Sequence, residues 1–362
     1  MKLTELRVED WRNVESAELE CDARFVVFHG PNAQGKTNLL EAVYALATLK
    51  SFRTRRNREL IRWGAERARV RGVIDDGDLA RDLSLEVLPK SRQGRIDGKP
   101  PSMLADYFEG IRAVLFAPED TALVRGEPAL RRAFVDRAAF TASATFLEIA
   151  QTHKRLLDQR AALLRGFPVD RDLLTIFDGR LAQAGAQLVI RRRRLVAELA
   201  EFTELHDRIS GHGEATLAYR SCLPEGEDLG ELAAAYLAAL ERTRESSIER
   251  GTNLVGPQRD DLELKLDGKP ARAFASQGQT RSLVLALKLA ELLAARARGA
   301  RPLFLLDDLS SELDRLRRGR LVELVGDLDL QCFVTTTEPD VVRAGTSAEV
   351  RAYEVEEGRV IG

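Results

Sequence analysis

The stretch Gly30-Pro31-Asn32-Ala33-Gln34-Gly35-Lys36-Thr37 fits G-x-x-x-x-G-K-[ST] at every fixed position. Each fixed residue has a physical reason. Glycines at 30 and 35 let the backbone turn tightly, so successive amide N–H groups point at one phosphate. The Lys36 ammonium can reach the β- and γ-phosphates of a nucleotide, and the Thr37 hydroxyl can ligate Mg²⁺. The flanks agree. Arg24 to His29 predicts a strand entering the loop. Thr37 to Lys50 predicts a helix leaving it, with Leu39, Val43 and Leu46 on one face. The N-terminus of that helix adds partial positive charge beneath the phosphates. The whole stretch, Gly30 through Thr37, is therefore a candidate site for ATP and Mg²⁺.

The 362 residues are 44% hydrophobic and 31% charged, enough for a globular chain of about two domains. A net charge of -2 gives no general pull towards nucleic acid or an acidic membrane, so any basic surface must be local. Cys21, Cys222 and Cys332 lie far apart, show no metal-ligand spacing and read as buried thiols of a reducing compartment. Neither a signal-peptide core nor a membrane-length apolar run is visible, which predicts a cytoplasmic protein.

Two textures alternate along the chain. Residues 1–122 are β-rich around the loop. Leu3, Leu6, Val8 and Trp11 mark a strand or hairpin, and Val70 to Val87 mark a hairpin broken at Asp75-Asp76-Gly77-Asp78. A second break is predicted at Gln93 to Gly98, and a short buried strand at Arg112 to Phe116. Residues 123–251 turn helical, with Ala, Leu, Arg and Glu at helical spacing and breaks at Gly166-Phe167-Pro168 and Gly211-His212-Gly213. Heptads are not sustained, so this is an inserted arm and no long coiled coil. Residues 252–362 return to β-type texture, with a deeply packed helix at Gln279 to Arg298. Leu303 to Leu306 and Cys332 to Val334 are candidate parallel strands, covered on both faces.

The first of these runs, Leu303 to Leu306, ends in Asp307-Asp308. The carboxyl edge of a strand beside a phosphate loop is where a Mg²⁺-holding Asp belongs. Asp307 is the candidate for Mg²⁺, largely through water, and Asp308 for polarising the attacking water. Acidic caps of the following turn are the plainer alternative. Ser276-Gln277-Gly278-Gln279 opens the long helix and Ser311-Glu312-Leu313-Asp314 follows the acidic pair; singly, both are ordinary polar caps. The order of all these segments resembles the head of an ABC-type ATPase. The resemblance implies that Ser276 to Gln279 of one subunit close over the γ-phosphate held by another. Lys36, Asp308 and Ser276 are then the catalytic set, and ATP holds a homodimer together.

The family is narrower still. Asp10-Trp11-Arg12-Asn13, Gly30 to Ala42, Lys50-Ser51-Phe52-Arg53 and Leu115 to Asp120 resemble the bacterial RecF family. So do Gly126-Glu127-Pro128 with Arg131, Arg132 and Asp136, Gly256-Pro257-Gln258-Arg259-Asp260-Asp261, and Ser276 to Gln279. The likeness runs from end to end. It implies an α/β, SMC-like ATPase head with an inserted helical arm. It also implies binding of DNA at junctions of single and double strands, and work with RecR and RecO to load RecA. Recombinational repair, replication-fork recovery and the SOS response are the implied settings. The chain departs from the pattern at Trp11, where Phe or Tyr is usual, and at Gln258, where His is common. Asp308 stands where most ABC ATPases place Glu, which predicts slow hydrolysis. The usual switch His is replaced by one of Thr335, Thr336 and Thr337, and Glu119 stands near the place of an absent Gln.

Arg53, Arg55, Arg56 and Arg58 fit DNA phosphates and a solvated or ATP-side loop equally well. Arg191 to Arg194 lie on all sides of a predicted helix, so salt bridges to nearby acids are the favoured reading. With 6% aromatic residues, no stacking platform for single strands is visible, which favours backbone contacts over base readout. Three other classes were weighed: a transporter ATPase subunit, a phosphate-loop kinase and a structural SMC-type clamp. The long separation of Lys36 from Ser276 opposes the first. Ser276 to Gln279 would be redundant in the second. Only the RecF-like segments outside the nucleotide site oppose the third.

Overall fold

The computed structural model describes residues 1–77, 79–312 and 315–361. Its contacts divide the chain into two units, one of residues 1–120, 208–211 and 277–362, the other of residues 121–207 and 212–276.

The first unit holds two sheets. Alternating burial gives β1 (Lys2–Trp11), β2 (Val14–Glu20), β4 (Ala68–Asp75) and β5 (Ala80–Val87) a buried face, and with β6 (Arg92–Ile96) they pair antiparallel in the order β2-β1-β4-β5-β6. The stretch expected as a break at Gln93 to Gly98 is thus mostly strand. Its side chains stay half-exposed because β6 is an edge strand. Asp78, in the expected break between β4 and β5, lies outside the described residues.

The second sheet carries the loop. Its strands are β3 (Phe25–His29), β7 (Ala113–Phe116), β11 (Leu303–Leu306), β12 (Cys332–Thr336), β13 (Val350–Glu356) and β14 (Arg359–Ile361), in the order β14-β13-β3-β12-β11-β7. All neighbours run parallel except β13 with β14. β7, β11 and β12 are buried at every residue, as continuous apolar runs demand of strands covered on both faces. The helix Lys36–Thr48 follows β3 and is buried from Leu39 to Ala47 on almost every side.

The second unit is mainly helical. Helices Phe146–Leu164, Arg171–Glu198 and Leu229–Arg242 pack around Leu181, Val189, Leu232, Tyr236 and Leu240, and Pro128–Ala142 lies against the first two. A three-stranded antiparallel sheet, β10-β9-β8, accompanies them: β8 is Ala215–Arg220, β9 Asp261–Leu266 and β10 Lys269–Pro270. This corrects the expected boundary at 251/252. β9 pairs with β8 along its length, so residues 252–276 belong with the helices, and the chain re-enters the first unit at Gln277. Cys21 and Cys332 are buried, whereas Cys222 is exposed, against the expectation for all three. Among the described residues no helix is long and apolar enough to cross a membrane.

Candidate nucleotide site

Strand order explains how distant residues meet. β3 delivers the loop and β11 delivers Asp307-Asp308, with β12 between them. In register, Leu306 stands opposite Val334 and Thr335 opposite Phe28. The carboxyl ends of the three strands therefore bring Thr37, Thr335 and Asp307 together. The Thr37 hydroxyl donates to Asp307 Oδ1 at 2.8 Å, and the Thr335 hydroxyl donates to the same oxygen at 2.7 Å. Thr335 in turn accepts from the Asp308 amide at 2.8 Å. Of the three threonines left open by the sequence, Thr335 is the one on the acidic pair. The Thr337 hydroxyl reaches Ser310 instead, at 3.1 Å, and Thr336 turns to Glu338.

Burial raises the Asp307 carboxyl above its ordinary pKa, opposed by the two hydroxyls and assisted by the charges of Glu119 and Asp308. Glu119 itself is exposed, in the short turn Pro118–Thr121 after β7. Asp308 has φ 52°, a left-handed conformation that Asp tolerates better than most residues, and the Ser310 hydroxyl lies 3.3 Å from its Oδ1.

The loop conformation needs its glycines. Gly30 has φ 133° and Gly35 φ 119°. A Cβ at Gly30 would come within 2.6 Å of the Val355 carbonyl, and one at Gly35 within 2.9 Å of Asn13 Oδ1. No side chain caps the helix that Gly35 opens, and no acidic residue occupies its first turn. That leaves amide donors and the helix dipole for an anion. Lys36 folds back over the loop, donating to the Gly30 and Pro31 carbonyls at 2.7 Å each. Burial pulls its pKa down while Asp308 and Asp307 pull it up. An ammonium resting on two carbonyls is held where phosphate oxygens would replace them.

The sequence reading missed what supports this loop. Arg53 donates to Asn38 Oδ1 at 2.7 Å, Asn38 donates to Asn13 Oδ1 at 2.7 Å, and Asn13 donates to the Gln34 carbonyl at 3.2 Å. A second brace comes from the β13–β14 turn, where the Glu357 and Gly358 amides each donate to Gln34 at 2.8 Å. Buried Glu41 accepts two hydrogen bonds from Arg12, both at 2.8 Å, and one from Ser51. Asp10 to Asn13 and Lys50 to Arg53, quoted above only for their resemblance, are thus the outer wall of the loop. Arg53 sits on the loop side. Arg55 and Arg58 are exposed, and Arg56 lies 3.5 Å from Glu59.

Ser276 is exposed and closes the second unit, while Gln277, Gly278 and Gln279 open the helix Gln277–Ala297 of the first. The segment Ser311 to Asp314 runs outside the described residues at Leu313 and Asp314. Of the four arginines from 191 to 194, Arg192 is buried in a two-pronged pair with Asp136, Arg193 caps the Leu223 and Gly226 carbonyls, and Arg194 pairs with Glu227. Among the described residues no group of three or more His, Cys, Asp or Glu is arranged to hold a metal alone. One carboxylate beside one hydroxyl suits a divalent ion that keeps waters and phosphate oxygens as its other ligands. The donor set, with its amides, ammonium and open helix end, fits a triphosphate.

Comparison with known proteins agrees with this geometry. The RecF/RecN/SMC N terminal domain family matches residues 2–360. A DNA replication and repair protein RecF of Anaeromyxobacter sp. (strain Fw109-5) is 44% identical, and one of Geobacter metallireducens is 39% identical, each over 99% of this chain and 99% of the relative. A solved structure of the recombination mediator protein RecF with ATP, in the RecFOR pathway, superposes with a TM-score of 0.89 at 26% identity, over 99% of this chain and 98% of that one. The Smc head domain of Pyrococcus yayanosii shares the fold, with a TM-score of 0.60 at 14% identity over 100% of this chain and 97% of that one. At this identity and coverage the chain belongs to the RecF family of ABC/SMC-type ATPases.

Proposed function

We propose that this protein is a cytoplasmic, DNA-binding ATPase of recombinational repair that grips DNA as an ATP-closed dimer and releases it on slow hydrolysis. The observation that carries the reading is the convergence of the Thr37 and Thr335 hydroxyls on one oxygen of Asp307, at the mouth of the phosphate loop. In this reading Gly30 to Thr37 cradle the phosphates, and Lys36 exchanges its two carbonyl partners for phosphate oxygens. Thr37 and Asp307 would hold Mg²⁺. When bound, the ion neutralises charge on the β- and γ-phosphates. Asp308 orients the attacking water. The Ser276 hydroxyl and the amides of Gln277 to Gln279 meet the γ-phosphate held by a second copy. Membership of the RecF family supports a role in DNA repair, and the RecFOR setting of the structural neighbour supports RecR and RecO as partners; RecA loading is the outcome that the family resemblance implies.

Fluorescence anisotropy on a gapped duplex, with and without ATP and Mg²⁺, tests the reading on wild type, Lys36→Met and Ser276→Arg. The expected result is ATP-dependent binding in the wild type and its loss in both variants. Binding indifferent to ATP and to both substitutions would detach DNA from the nucleotide-closed state.

A further inference from the structure

The segments Gly126 to Asp136 and Gly256 to Asp261 take no part in the nucleotide site, yet the second unit brings them together. Arg131 makes a two-pronged pair with Asp261 at 2.7 and 2.9 Å, and Arg132 donates to the Asp260 carbonyl at 2.8 Å. Arg192 makes a two-pronged pair with Asp136 and donates to the Pro257 carbonyl at 2.8 Å. Beside this cluster lies an open cleft of about 410 Å³ between the helices Pro128–Ala142 and Phe146–Leu164, within the usual range of ligand pockets. Small side chains make the space. Ala129 and Ala133 stand one helical turn apart on one wall, Ala150 is on the other, and Leu157 and Leu188 supply further apolar surface.

The polar atoms of the cleft are not matched to one another. His153 is 5% exposed, yet its Nε2 has no hydrogen-bond partner. Gln258 donates through Nε2 to the Val255 carbonyl at 2.6 Å, while its buried Oε1 accepts nothing. A buried polar atom without a partner costs free energy, and two of them beside one cleft leave a ligand's polar groups something to satisfy. Charge points the same way. The cleft is lined by the cations Arg132, Lys154 and Arg192 and by one carboxylate, Asp136, which Arg192 already neutralises. Arg132 and Lys154 remain, and burial with the nearby Arg192 charge lowers the pKa of Arg132. His153 is held neutral, pulled down to about 4 by burial and by Arg192. An arriving anion relieves this crowding.

We infer that this cleft is a docking site for a partner protein's peptide segment that carries a carboxylate beside a large apolar side chain. The carboxylate meets Arg132 and Lys154, the apolar side chain fills the space between Ala133 and Ala150, and a backbone group of the peptide meets His153 Nε2. No aromatic side chain lines the cleft to stack on a base, which favours a peptide over an extruded nucleotide.

The test uses the full chain without nucleotide and fluorescein-labelled hexapeptides bearing Leu-Asp, Leu-Asn or Ser-Asp at the centre, read by anisotropy. A fluorescein-labelled, 5′-phosphorylated dinucleotide forms the other arm. The expected result is binding of the Leu-Asp peptide, weakened roughly tenfold or more when Asn replaces Asp or when Arg132→Gln and Lys154→Gln are combined. Ala133→Trp, which fills the cleft from its exposed side, abolishes binding. The Arg132→Gln, Lys154→Gln variant leaves the apolar core untouched and keeps the test valid should the Trp variant misfold. Three outcomes overturn the inference: no binding by the Leu-Asp peptide, equal binding of the Leu-Asn peptide, or dinucleotide binding that the same substitutions remove while the peptides fail.

Discussion

Asp307 shows how much chemistry one buried carboxylate can concentrate. It is 5% exposed, two hydroxyls donate to its Oδ1, and burial dominates the balance that raises its pKa. In the nucleotide-free protein its charge is therefore a cost. The sign follows from linkage. A folded-state pKa above the unfolded value means that deprotonation is harder in the folded chain, so at neutral pH the charged Asp307 destabilises the fold. That cost fades as pH falls through the raised folded value towards the ordinary carboxylate range. Asp307→Asn keeps an oxygen for both hydroxyls and carries no charge. Thermal melts of the nucleotide-free protein are expected to show a higher Tm for Asp307→Asn at neutral pH, with the gap closing as pH is lowered. A gap that stayed constant with pH would mean that the charge is not the cause. The phosphate-loop pattern and the acidic end of an apolar strand at Asp307 were legible in the sequence. Thr335 was not, because three adjacent threonines are equivalent until strand register sets one of them beside β11.

Elements were legible where one periodicity ran long, and obscure where pairing was remote. The helix after the loop and the two buried parallel strands follow from local apolar pattern. The helical stretch before the expected break at Gly166-Phe167-Pro168 contains a further break at residues 143–145, without Gly or Pro to announce it, between Pro128–Ala142 and Phe146–Leu164. β9 was assigned to the wrong unit because its texture matches the head, while its partner β8 lies some forty residues upstream within the arm. The arm is tied internally by charge. Arg160 is fully buried and donates to Asp178 and to Asn253, and Asp178 also accepts from Arg244 at 2.9 Å. These contacts join the helices Phe146–Leu164 and Arg171–Glu198 to the start of Arg244–Arg250. Removing Arg160 leaves the fully buried Asp178 with Arg244 alone, on its other oxygen, and takes the donor from Asn253 Oδ1. Arg160→Met is therefore expected to lower unfolding stability by about 3–5 kcal/mol, read as a lower urea midpoint in circular dichroism. Arg194→Met, at a half-exposed pair with Glu227, is the control, expected to change stability by about 1 kcal/mol or less.

For the molecule as a whole, the proposed function requires the ATP site to close and also to reopen, and it assigns the second step to Asp308. Its left-handed backbone, φ 52°, stands two residues past the end of β11 and is fixed by the hydrogen bond that its amide N–H donates to the Thr335 hydroxyl. Asn is as well suited as Asp to that conformation, so Asp308→Asn preserves the local fold and the Thr335 contact while removing the charge that polarises water. Lys36, Thr37 and Asp307, which would hold nucleotide and Mg²⁺, are untouched by the change. Closing and hydrolysis should then separate. With ATP and Mg²⁺, the wild type is expected to form a dimer that decays as nucleotide is consumed, at a turnover well below the ~10 per second typical of enzymes. Asp308→Asn should form the same dimer and keep it, with hydrolysis lost. Light scattering coupled to size exclusion, followed over time beside phosphate release, distinguishes the two. If the Asp308→Asn dimer decayed as fast as the wild type's, reopening would not depend on hydrolysis, and the slow ATPase could not be the timer of DNA release.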